Sequence, residues 1–88
     1  MKELAVKIID PIGLHARPAS NLVSVATKFQ SNIKLVANGK EANLKSIMNV
    51  MALGVKTGTE VVFKCDGADE EAALEAIKEV LAKEQIAE

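Results

Sequence analysis

Tryptophan and tyrosine are absent from the 88 residues, and two phenylalanines hold the aromatic content at 2%. A chain so poor in rings offers no stacking platform for bases or sugars, which excludes single-strand nucleic-acid binding by that route. The one cysteine, Cys65, rules out an internal disulfide and a multi-cysteine zinc site. With one histidine as well, His15, strong transition-metal ligands are scarce, and neither metal nor cofactor is expected. No apolar run reaches the roughly 18 residues that a membrane span needs, and no basic-then-apolar leader opens the chain, so a cytoplasmic protein is expected. The net charge of −1 exerts no general pull toward nucleic acid or a membrane surface. Electrostatic recognition must therefore be local.

What is present fits an ordinary folded chain: 49% hydrophobic and 26% charged residues. Residues 1–88 are expected to form a single domain, burying about 60–65% of the unfolded surface in one pair of layers. Leu4, Val6 and Ile8 alternate with Glu3, Ala5 and Lys7, which predicts a strand over Lys2 to Ile9 with one buried face. Asp10-Pro11-Ile12-Gly13 breaks it. Ala19, Leu22, Val23, Ala26 and Phe29 then recur at helical spacing, predicting a helix over about residues 16–28, with Pro18 tolerated in its first turn.

Ile33, Leu35 and Ala37 mark a second strand, and Asn38-Gly39 is a hairpin signal leading into a third strand over about Lys40 to Asn43. Ser46 is a candidate N-cap for a short helix over about Ile47 to Leu53. Val61, Phe63 and Cys65 place inward residues on a fourth strand over about Glu60 to Cys65. Asp69 is read as the N-cap of a last helix whose buried stripe is Ala73, Leu74, Ile77, Val80 and Leu81. The order βαββαβα with half-apolar strands implies an antiparallel sheet covered by helices on one side. Element order leaves the winding open between a ferredoxin-like sheet and others.

His15 enters the first helix beside Arg17. Unpaired backbone N–H groups at Ala16 and Arg17 face an anion there, and the guanidinium of Arg17 is a planar fork for phosphate oxygens. A neutral imidazole is a competent nucleophile near pH 7. The plain alternative is a surface or cap histidine without chemistry. Ser46 reads first as a cap, yet phosphate at a helix N-terminus is tolerated by the dipole, so it is also a candidate regulatory site. Ile47, Met48 and Met51 exceed what a seven-residue helix can bury beside Val50 and Leu53, so a partly exposed apolar patch is expected.

Two segments carry a family likeness: Gly-Leu-His-Ala-Arg-Pro-Ala at Gly13 to Ala19, and Asn-Leu-Lys-Ser-Ile-Met-Asn-Val-Met at Asn43 to Met51. With element order and length, they make nearly the whole chain similar to HPr, the histidine-containing phosphocarrier of the bacterial sugar phosphotransferase system, in its serine-regulated branch. The resemblance implies an open-faced β-sandwich of the α+β class, with strand order 1-4-2-3 and three helices on one face. It implies that His15 takes a phosphoryl group on Nδ1 from enzyme I and gives it to enzyme IIA domains, with Arg17 stabilising the phosphate. Ser46 is implied as the target of HPr kinase/phosphorylase, its phosphorylated form acting with a catabolite-control transcription factor. Leu14, Ser20, Ile47, Met48 and Met51 are implied as the docking surface of a monomer. Ile12 stands where many members have a small polar residue, and Ser24 where many have a basic one. The competing readings are a regulatory module acting only through Ser46, and a small anion-binding domain without covalent chemistry.

Overall fold

Alternating apolar residues lay down four strands in the computed structural model, which describes residues 1–88. They are β1 (Lys2–Lys7), β2 (Asn32–Ala37), β3 (Lys40–Asn43) and β4 (Glu60–Asp66), and the helices are α1 (Ala16–Ala26), α2 (Ile47–Ala52) and α3 (Glu70–Lys83). All pairings are antiparallel and the sheet order is β1-β4-β2-β3. Register aligns Leu4, Phe63, Leu35 and Ala42 across the four strands, so one face is continuously apolar. That face meets the helices. Phe63, Leu35, Ile33 and Cys65 are buried against Leu22, Ile77 and Leu81 from α1 and α3. The opposite face stays open and charged: Lys34 and Lys64 lie side by side, both bridged by Glu41 at 3.6 and 3.9 Å.

Several elements stop earlier than periodicity predicts. β1 ends at Lys7: the Ile8 N–H still meets Thr59 O opposite it, but the Ile9 N–H turns away to Ile86 O. Leu4 and Val6 are only half-buried, since β1 is an edge strand. α1 ends at Ala26, where Lys28 and Phe29 tighten onto the carbonyls of Val25 and Ala26. α2 ends at Ala52, with Leu53 as its C-cap. The Asn38-Gly39 hairpin forms as expected, both residues having positive φ (53° and 76°).

Asp69 is a correction. It occupies the N-cap position of α3, but its side chain makes no capping bond. The carboxylate instead accepts from the N–H groups of Gln30 (2.8 Å) and Ser31 (2.9 Å) and from the Ser31 hydroxyl. A long-range acceptor demand from the α1–β2 turn outcompetes the local cap.

The C-terminal tail was not legible at all. α3 ends with Ile86 N–H on Leu81 O (2.9 Å) and Gln85 N–H on Ala82 O (3.3 Å), and Gln85 has a φ of 53°. This is the Schellman pattern, with glutamine in the usual glycine position. It turns the chain back so that Ile86 is buried and Lys7 and Glu88 exchange backbone hydrogen bonds (2.8 and 3.0 Å).

Candidate functional site

Gly13 sets the approach to His15. Its φ is 87°, and a Cβ there would lie 2.7 Å from Val55 O and 2.9 Å from Lys56 Cα. The loop thus presses on the segment that leaves α2, fastened by Leu14 N–H to Val55 O at 3.0 Å. Leu14 is 4% exposed and belongs to the core. This corrects its expected place on a docking surface: the side chain anchors the loop and leaves nothing for a partner to touch.

His15 is the N-cap residue of α1, with extended backbone (φ −86°, ψ −172°) and a side chain that makes no capping hydrogen bond. Its carbonyl receives the first helical bond, from Ala19 N–H at 3.0 Å. Pro18 has no N–H, so the Ala16 and Arg17 N–H groups are the donors left without a backbone acceptor at this end. Both belong to the turn that carries the imidazole. Arg17 is exposed and makes no ion pair. An imidazole, two free amide donors and an uncommitted guanidinium therefore share one helix entrance.

Asp10 adds a part whose distance the sequence leaves open. Its Oδ1 accepts from Ile12 N–H at 2.9 Å, its carbonyl accepts from Gly13 N–H at 2.8 Å, and its Oδ2 lies 3.4 Å from His15 Nε2. The Ile9 and Asp10 N–H groups both donate to Ile86 O, which brings the end of the chain under the loop. Asp10, Ile12, His15, Arg17, Pro18, Asn21, Glu84 and Ile86 line a cleft of about 260 Å³. No sequence signal joins Glu84 and Ile86 to His15. The Schellman turn does. Ile12 is 74% exposed, an apolar rim beside the imidazole.

Ser46 caps α2 from extended backbone, its Oγ accepting from Asn49 N–H at 3.3 Å. Beyond it Met48 is 81% exposed, with Ile47 and Met51 exposed as well, while Val50 is buried and Leu53 half-buried. The partly open patch is present, and α1 packs against the helix that bears it. Ser20 is exposed on α1. Cys65 is buried in the core, and no cluster of three or more potential metal ligands occurs. No helix is long and apolar enough to cross a membrane.

Comparisons with known proteins bear on the family and the fold. The family described as "PTS HPr component phosphorylation site" matches residues 2–83. The phosphocarrier protein HPr of Mycoplasma capricolum is 53% identical over 81 residues, covering 92% of this chain and 91% of that protein. A solved structure of a Mycoplasma histidine-containing phosphocarrier protein superposes with a TM-score of 0.95 at 49% identity, covering 97% of each chain. An HPr dimer from Thermoanaerobacter tengcongensis gives 0.76 at 42% identity, covering 96% of this chain and 97% of that one. The four-stranded sheet in its 1-4-2-3 order and the helical cover are those of such proteins, and the chain belongs to the HPr family of phosphocarriers of the phosphotransferase system.

Proposed function

We propose that His15 accepts a phosphoryl group on Nδ1 from phospho-enzyme I and donates it to sugar-specific enzyme IIA domains. The observation that carries this reading is the convergence of His15 with the free Ala16 and Arg17 N–H groups and the unpaired Arg17 guanidinium. Phosphoryl transfer depends chiefly on positioning and on charge stabilisation, and these groups supply both without a dedicated base. The amide donors and Arg17 hold the equatorial oxygens, while the nucleophile is the imidazole itself. The chain turns over only through its partners.

Ser46 carries the second role in this reading. HPr kinase/phosphorylase phosphorylates its Oγ from ATP, and the product acts as corepressor with a catabolite-control transcription factor. Support comes from its place at a helix N-terminus beside exposed Ile47, Met48 and Met51, where added charge is felt by whatever docks. The exposed Ser20 belongs to the same docking role. The chain works as a single domain over residues 1–88, a cytoplasmic monomer. Sedimentation tests that state against the dimeric state described for the Thermoanaerobacter relative.

Incubation with enzyme I and phosphoenolpyruvate should add one acid-labile, base-stable phosphate, absent from His15→Ala. An acid-stable phosphate from ATP alone, with no transfer from phosphoenolpyruvate, favours the module that acts only through Ser46. Ser46→Asp should be phosphorylated on His15 more slowly than the parent, because a new anion sits beside a surface that must receive an acidic partner; equal rates sink that coupling.

A further inference from the structure

The His15–Asp10 contact joins two residues that approach the cleft from opposite sides of the Gly13 turn. The Asp10 carboxylate is held, not free. Three backbone hydrogen bonds fix the residue: Ile12 N–H to Oδ1, Gly13 N–H to its carbonyl, and its own N–H to Ile86 O. Oδ2 is left facing His15 Nε2 at 3.4 Å, and the carboxylate has no other cationic partner. The aspartate side chain is 20% exposed and the imidazole 32%, so the pair is partly shielded from water.

We propose that Asp10 is a positioning residue for phosphoryl transfer, holding His15 as its Nε2–H tautomer so that the Nδ1 lone pair is the one offered to the donor. This rests on the reading of His15 as the phosphoryl carrier. A carboxylate only accepts hydrogen bonds, whereas a neutral imidazole donates from one nitrogen and accepts at the other. An acceptor facing Nε2 therefore favours the proton there. The 3.4 Å separation exceeds a formed hydrogen bond, and a small ring rotation closes it when the site is engaged.

The same contact serves the phosphorylated state. The Nδ1 lone pair forms the new N–P bond while the bond between phosphorus and the donor's leaving atom breaks, and that atom keeps the electron pair. The proton on Nε2 stays, so the ring becomes a cation beside the Asp10 carboxylate. When an acceptor attacks phosphorus, the N–P pair returns to Nδ1 and the ring is neutral again. No net proton is gained or lost. Asp10 offsets the transient charge at both steps.

Asp10→Asn is the decisive variant. The amide oxygen can keep the Ile12 N–H bond and hence the turn, but its NH2 then faces Nε2 as a donor and favours the opposite tautomer. Because His15 is the only histidine, ¹⁵N-histidine labelling reports its two ring nitrogens without overlap. In the parent at pH ~9, where the imidazole is neutral, Nε2 should show the protonated-type shift and Nδ1 the lone-pair type; in Asp10→Asn the two should move toward each other or exchange. Phosphorylation from phosphoenolpyruvate through enzyme I should slow by about tenfold, less than a buried triad carboxylate is worth because this pair is partly solvated. Asp10→Ala removes the acceptor without adding a donor and should fall between parent and Asn. A parent tautomer and rate in Asp10→Asn overturns the inference, as does equal loss in both variants with unchanged ring shifts. Absence of any phosphate on the parent overturns the carrier reading instead.

Discussion

Asp69 and Ser31 meet across 38 positions of sequence, the carboxylate accepting both the backbone N–H and the hydroxyl of the serine. With the Gln30 N–H on its second oxygen, this ties the start of α3 to the turn between α1 and β2. The Ser31 hydroxyl bond, followed by the backbone bond from Gln30, lowers the Asp69 carboxyl below the usual carboxylate range. A depressed folded-state value makes the contribution fully present above the ordinary aspartate value, about 3.9, and lost as pH falls through the lower folded value. Urea midpoints of parent and Asp69→Ala should therefore differ at pH 7 and converge toward pH 2. A constant difference across that range excludes the linkage.

Gly13 should resist substitution. Gly13→Ala places a Cβ on Val55 O in a left-handed backbone, which should cost about 2 kcal/mol or more. Since the same contact seats the His15 loop, phosphoryl acceptance should fall while the sheet, seen by amide shifts of β2 and β4, stays in place.

Gln85 points the other way. Glycine tolerates its positive φ without the Cβ penalty, so Gln85→Gly should stabilise by about 0.5–1 kcal/mol in chemical denaturation. Destabilisation would mean that the glutamine side chain makes a contribution larger than the backbone strain.

On α2, opposite faces should behave oppositely. Val50, 1% exposed, should cost about 2 kcal/mol when cut to alanine. Met48→Ala should alter stability by less than about 0.5 kcal/mol, yet weaken association with enzyme I in calorimetry. Equal affinity removes Met48 from the docking surface.

Cys65 should be silent toward thiol reagents. Burial pushes its thiol up, and the nearby acids Glu70 and Asp69 push it further. At pH 8 the native chain should label only as fast as it opens, and urea should raise the rate in step with unfolding.

Local patterns were legible wherever one side chain reports on its own segment. Leu4 to Ile8, Ile33 to Ala37 and Val61 to Cys65 alternate because a half-buried strand repeats every two residues, and the Ala19–Ala26 stripe repeats as a helix does. Ser46 as a cap and Asn38-Gly39 as a turn follow from conformations available to those residues alone. The family likeness extended that reach to strand order.

Competition between distant groups decided the rest. Asp69 looked like a cap because a cap is the local use of an aspartate, and it left that use for two N–H groups on another turn. The resemblance implies Leu14 as part of a docking surface, but its N–H goes to Val55 and its side chain into the core. By itself the sequence picked out an imidazole, a guanidinium and a helix entrance suited to an anion, at His15 and Arg17. Only the tertiary structure decided what surrounds them, since Asp10 reaches Nε2 and Ile86 closes the cleft through a turn at Gln85 whose partners lie some 75 residues away.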